Sequence, residues 1–131
     1  MNTRPGNARS SRDLVANDLE QDAEFKQEWE RTALARAVAL VVVGYRARHG
    51  LSQRKLADLL GWKPSQVARL ELGEHNPSLE TLIHLSQRVG LRLVLTINPA
   101  GGKRFGVRPA KGDVVQEGDA DGSHLLVAVG A

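Results

Sequence analysis

The chain of 131 residues contains no cysteine, which removes disulfide frameworks, thiolate catalysis and cysteine-ligated zinc together and fits a reducing compartment. Aromatic residues are scarce, with two Trp, two Phe and one Tyr, so a core has to be assembled mainly from Leu, Val, Ile and Ala. A run long enough to span a membrane, about 20 apolar residues, is also missing. The most apolar stretch, Leu34 to Tyr45, contains Arg36 and reads as a buried helix. The basic, polar start MNTRPGNARSSRD is followed by no apolar run, so no secretory signal is expected and the expected location is cytoplasmic. His49, His75, His84 and His124 stand apart without ligand spacing, so no metal is expected. No nucleophile, base and orienting group can be assembled by spacing, so neither catalytic residues nor an enzyme are expected, and no cofactor is implied. Gly101-Gly102-Lys103 lacks the first glycine and the hydroxyl residue of a phosphate loop. Glu117 to Gly122 opens like a calcium loop, but Ala128 stands where the bidentate Glu belongs. Both read as turns.

What the chain does have is an uneven charge. The net +3 divides into −3 over residues 1–30, +6 over 31–98 and 0 over 99–131. A compact positive segment favours and steers a polyanionic partner.

Residues 1–21 are rich in Arg, Asn, Ser, Pro and Gly near their start and are expected to form a flexible arm. From Asp22 the spacing of Phe25, Trp29, Ala33, Ala37 and Val41, with Leu34, Val38 and Val42 beside them, predicts one long helix ending at Gly50. Gly50, Gly61, Gly73 and Gly90 each follow an apolar helical pattern where a left-handed C-cap would sit. Ser52 and Ser78 suit N-caps, and Pro64 suits the first turn of a helix. After Gly90 the period changes to two, because Leu91, Leu93, Leu95 and Ile97 alternate with Arg92, Val94 and Thr96, which predicts a strand over 91–97. A lone strand needs a partner. The run Leu125 to Val129 and the equivalent strand of a second subunit are both available, and the second subunit is the favoured reading. Residues 99–131 are Gly-rich and read as a loop or disordered tail.

The decisive stretch runs from Gly50 to Ser78: a short helix, a glycine turn, a second short helix and a polar loop. Leu56, Ala57 and Leu60 are placed to pack against Val67 and Leu70, with Gly61 allowing the sharp turn. Leu51-Ser52-Gln53, Leu56-Ala57, Gly61, Val67-Ala68-Arg69-Leu70-Glu71 and Asn76-Pro77-Ser78 closely resemble the Xre/Cro-type helix-turn-helix family, over roughly residues 46–95. Asp22-Ala-Glu-Phe25 with Trp29, and Arg92-Leu-Val-Leu95, are further similar to HigA-type antitoxins. These resemblances imply an all-α, lambda-repressor-like domain of four to five helices over 22–98, with a C-terminal strand available for dimerisation. They imply a cytoplasmic repressor that binds double-stranded DNA as a homodimer on a near-palindromic operator. They also imply a ribonuclease-like toxin protein as partner, the alternative being a stand-alone regulator.

Gln53 resembles the family glutamine that holds a phosphate, and a helix N-terminus there favours an anion. Ser65, Gln66 and Arg69 occupy the early positions from which a recognition helix reaches base edges. Arg69 suits guanine, whose O6 and N7 a guanidinium can bond together. Lys63, and Asn76 with His75 in the following loop, are expected on phosphates, with Glu74 opposing. Trp62 is expected to cover the turn. Pro64 replaces a polar side chain common in the family, which shifts weight to Ser65, Gln66 and Arg69.

Overall fold

The computed structural model describes residues 23–131, so the arm expected over 1–21 lies outside the described residues. Five helices, α1 (Ala23–Arg31), α2 (Ala33–Arg48), α3 (Gln53–Leu60), α4 (Pro64–Leu72) and α5 (Leu79–Val89), precede three strands, β1 (Arg92–Pro99), β2 (Val114–Ala120) and β3 (Ser123–Gly130). The local chemistry matches the sequence at the caps. Ser52 Oγ accepts from the Lys55 N–H and Ser78 Oγ from the Thr81 N–H, both at 3.1 Å. All four punctuating glycines have positive φ. At Gly73 a Cβ would stand 3.3 Å from that of Ala39, so this turn needs glycine for closeness as well as for handedness.

The single long entry helix is replaced by two helices that meet at Thr32. In an unbroken helix the Ala35 N–H would bond the Arg31 carbonyl, four residues earlier. Here the Asn76 amide is inserted between them. Its Oδ1 accepts from Ala35 N at 3.1 Å and its Nδ2 donates to Arg31 O at 2.9 Å. One side-chain amide thus satisfies both ends of the broken helical bond, and α1 is free to leave the axis of α2. The Arg36 guanidinium supports the bend. It lies 4.0 Å above the Trp29 ring and donates to the Trp29 carbonyl, to Thr32 Oγ1 at 2.9 Å and to Gln116 Oε1 at 3.5 Å. Periodicity cannot register such a bend, because the apolar repeat continues through it.

The expected all-α class is corrected by a three-stranded antiparallel sheet of order β1-β3-β2. The strand after α5 finds its partner within the chain: Leu93 pairs with Val129 and Asn98 with His124. The 99–131 segment, expected as a loop or disordered tail, contains both β2 and β3. The hairpin between them turns on Asp121-Gly122, with φ of 50° and 82°. Two positive φ values in a two-residue loop match the right-handed twist of the flanking strands.

Because β3 lies centrally, β1 and β2 run parallel and their connection, residues 100–113, has to cross the sheet. It crosses the face opposite the helices. On the helix side, Val127 and Val129 join Val38, Val42, Leu56, Leu60, Val67 and Leu85 in one buried core, and Gly118 lets α1 close in, with Glu30 3.2 Å from where a Cβ would be. On the far side, Asn98 fixes the crossover: its Nδ2 donates to Phe105 O at 2.8 Å and its Oδ1 accepts from Phe105 N at 3.0 Å. Gly106 sits directly on Thr96, with no room for a Cβ. Beneath this cover, buried His124 bonds Glu117 at 2.6 Å.

Replacing Asn76 by Ala removes one partly buried and one exposed hydrogen bond and leaves the Ala35 N–H, in a buried residue, without its acceptor. We expect a loss of about 1–2 kcal/mol in urea unfolding. Asn76→Asp keeps the acceptor for Ala35 but sets an oxygen against the Arg31 carbonyl, and should recover little of that loss. Stability within about 0.5 kcal/mol of wild type for Asn76→Ala would show that the inserted amide does not hold the bend.

Candidate nucleic-acid interface

α3, the Gly61 turn and α4 form a helix-turn-helix whose inner side is apolar. Leu56, Ala57, Leu60 and Val67 are fully buried and Leu70 packs against them. The turn is closed by the Trp62 N–H, which donates to Ala57 O at 2.8 Å. Trp62 also stacks on His84 of α5 at 5.5 Å between ring centroids, so it covers the turn as expected, while a His84 ring nitrogen meets the last carbonyl of α3, that of Leu60.

With Val67 fixed inward, Lys63, Ser65, Gln66 and Arg69 are all exposed, which brings together four of the six residues singled out from sequence. Gln66 Oε1 accepts from the Lys63 N–H at 2.8 Å. That bond caps α4 and orients the carboxamide while leaving its NH2 group to donate outward. Arg69 makes no hydrogen bond or ion pair among the described residues. Its guanidinium therefore carries its full set of donors into solvent.

Glu71 belongs to a different set of contacts. Arg46 holds it with both prongs, Nε to Oε2 at 2.8 Å and Nη2 to Oε1 at 3.0 Å. Gln53 Nε2 donates to Oε1 at 2.9 Å. Arg46 also donates to Leu51 O at 3.1 Å, so one carboxylate ties α4 to α2 and to the start of α3. Gln53 is thereby held at the α3 N-terminus with its Oε1 and one amide hydrogen still available. Arg46 was missed by sequence reasoning, because a partner 25 residues away leaves no spacing signal. Asn76, expected on a phosphate, bridges α1 and α2 through its side chain, while the residue stays exposed and its Nδ2 keeps a second hydrogen to donate. His75 is exposed beside it. Among the described residues no cluster of acids, His or Cys could hold a metal ion, and no helix is long and apolar enough to cross a membrane.

Burial raises the pKa of the Glu71 carboxyl, but the hydrogen bonds from Arg46 and Gln53 and the Arg46 charge outweigh it, leaving the pKa below the ordinary value of 4.5. A carboxylate with a depressed folded-state pKa contributes stability above its unfolded value, and that contribution is lost as pH falls through the folded value. Glu71→Gln should therefore be less stable than wild type at neutral pH. The gap in urea midpoint should narrow only as pH drops below the ordinary carboxylate range. A gap unchanged from neutral pH to acid would show that the carboxylate charge contributes nothing.

The helix-turn-helix family model matches residues 45–95, which span the end of α2 through β1. An uncharacterized HTH-type transcriptional regulator of Haemophilus influenzae is 35% identical over 77 residues, covering 59% of this chain and 79% of that protein. No solved structure shows significant similarity. On the combined match of motif, geometry and sequence, the chain belongs to the helix-turn-helix family of transcriptional regulators.

Proposed function

We propose that the protein is a sequence-specific double-stranded-DNA-binding repressor, with α4 lying in the major groove. The observation that carries this reading is the exposed row Lys63, Ser65, Gln66 and Arg69, whose donors are uncommitted or aimed outward while Glu71, the one nearby carboxylate on the helix, is locked behind them. In this reading Arg69 takes a guanine edge, Gln66 and Ser65 read neighbouring positions, and Lys63 and Gln53 hold phosphates.

Dimerisation is supported by the outer edge of β1, which pairs with no strand among the described residues. Leu95 and Ile97 on it are 39% and 61% exposed. A second copy added antiparallel along this edge would make a two-fold sheet. A dimer that sets two recognition helices about 34 Å apart fits a near-palindromic operator. The resemblance of the entry helix and of the strand to HigA-type antitoxins supports a toxin protein as further partner. The Haemophilus influenzae relative carries the name of a transcriptional regulator, which favours a second reading as a stand-alone regulator. Co-purification with the product of an adjoining gene of about 100 codons, a domain-sized protein, separates the two.

Fluorescence anisotropy on the duplex upstream of the gene, against a scrambled duplex, tests the DNA reading. Selective binding should weaken steeply with salt. Arg69→Ala should lose about 1–3 kcal/mol on the selected duplex, roughly 5- to 160-fold, with little change on the scrambled one. Lys63→Ala should weaken both alike and lower the salt slope by about one. Equal, weak binding to every duplex in a genome-wide selection would sink the proposal.

A further inference from the structure

The crossover between β1 and β2 carries Lys103, Arg104, Arg108 and Lys111 between Ala100 and Gly112, with no acidic residue. All four are exposed. Arg104 reaches Glu117 only at 3.9 Å, and Lys103, Arg108 and Lys111 have no ion pair among the described residues. The far face of the sheet beneath adds Arg92, which holds Asp113 at 2.8 Å, together with Glu117 and Asp119. Five cations thus stand against three side-chain carboxylates, and Glu117 is further engaged by His124 at 2.6 Å. The face is net positive, and the sheet separates it from the helices.

Phe105 and Val107 stand 71% and 65% exposed among these cations. An apolar side chain in solvent needs no explanation by itself, but this aromatic is placed there by a buried group. Asn98, 7% exposed, commits both ends of its amide to one residue, donating from Nδ2 to Phe105 O and accepting at Oδ1 from Phe105 N. The next residue, Gly106, lies against Thr96 with no room for a Cβ. With the backbone pinned to the sheet at two successive residues, the Phe105 side chain is held outward. Its ring stacks on no other ring among the described residues. Lys103 and Arg104 precede it in the chain and Arg108 follows, so charge flanks the ring on both sides.

We propose that the crossover binds single-stranded DNA, an unpaired base stacking on Phe105 while Lys103, Arg104 and Arg108 take phosphates. Surfaces that hold single strands without reading sequence combine a cationic track with aromatic side chains on which bases stack. A duplex keeps its bases stacked on one another and offers the ring nothing. An acidic protein would meet the cations but leave the fixed ring without a flat partner. The acidic residues before α1, Asp13, Asp18, Glu20 and Asp22, join the molecule on its other side. Phe25, near the start of α1, lines a groove with Leu72 at the end of α4, and the sheet lies between that groove and the crossover. Because α4 and the crossover face opposite ways, a duplex and an unpaired strand can be held at once, as where a promoter opens beside its operator. The choice of DNA over RNA rests on the DNA reading of α4; the single-strand site itself does not.

Fluorescence anisotropy of a labelled oligo(dT) of about 12 nucleotides, within the span of one such site, should show binding that weakens with salt. Phe105→Ala and Phe105→Leu should each weaken it about tenfold or more, because neither side chain stacks, and Phe105→Tyr should keep it. Lys103→Glu with Arg108→Glu should weaken it by a similar factor and flatten the salt dependence. These side chains are exposed, and circular dichroism checks that the variants fold. Binding to the duplex upstream of the gene should be unchanged in the Phe105 variants. A failure of the DNA reading would show as wild-type duplex binding without selectivity and would leave the Phe105 dependence intact. Absence of oligo(dT) binding, or binding that Phe105→Leu leaves unchanged, overturns the proposal. Polyglutamate that displaces the oligomer as well as unlabelled oligo(dT) does would make an acidic protein the occupant, and tighter binding of oligo(U) would make it RNA; either result also overturns it. Neutralising the chain's own acids (Asp13→Asn, Asp18→Asn, Glu20→Gln, Asp22→Asn) should change little, whereas a tenfold gain would show those residues to be the occupant in place of DNA.

Discussion

The Asn76 carboxamide stands in for a missing helical hydrogen bond, and much of the molecule is arranged around that substitution. Bridging the Arg31 carbonyl and the Ala35 N–H, it lets the chain turn between α1 and α2 without leaving either group unsatisfied. An unpaired backbone group there would cost a few kcal/mol. The turn allows α1 to lie along the sheet, where Gly118 admits Glu30 and Asp121 receives both prongs of Arg31 at 2.9 and 3.2 Å. The same residue sits in the loop that leaves α4. The helix proposed to meet DNA is thus tethered at its exit to the junction that orients the sheet. One side chain connects two regions 41 to 45 residues apart in sequence.

The two ends of α4 are restrained by different chemistry. Its start is closed by Gln66 on the Lys63 N–H, and its last turn is held through Glu71 by Arg46 and Gln53. A charged group spent on structure is unavailable for recognition, and the arrangement separates these roles cleanly. Glu71 and Arg46 neutralise each other inside, leaving the outer row with no carboxylate to compete for its cation. A bidentate Arg–carboxylate pair is also directional, so it fixes the rotation of α4 about its axis as well as its distance from α2. Rotation decides which side chains reach outward.

The helix-turn-helix was legible in the sequence because its determinants are local. Glycine punctuation, the Ser52 and Ser78 caps, Pro64 at the start of α4 and the apolar spacing of Leu56, Leu60 and Val67 all act within a few residues. What escaped depends on contacts across the chain. The bend at Thr32 is made by a residue 41 to 45 positions away, and the holder of Glu71 lies one helix back. Asn76 belongs to the motif from which it was read, yet its bridge between α1 and α2 left no local signal, since a loop Asn looks the same whether it faces solvent or a broken helix. β2, and the choice of β3 over a second subunit as the partner of β1, were missed for a more avoidable reason. Asp121-Gly122 between two apolar-bearing segments is a strong local hairpin signal, but the glycines and charges around it were taken as the mark of a loop.

The strand order has one further consequence, for the time at which the molecule becomes complete. β3 is flanked by both other strands, yet it follows both of them in the chain. As the chain folds, β1 has no partner along its inner edge until β3 docks, because β2 pairs with β3 and not with β1. The helical part, whose contacts are local, can close early. The sheet has to wait for Val127 and Val129, which complete the core beneath the helices. Until then the folding chain displays a β1 edge bearing Leu93, Leu95 and Ile97, the kind of edge that pairs with other strands. Protection of this edge therefore depends on how fast β3, some thirty residues further along the chain, reaches it.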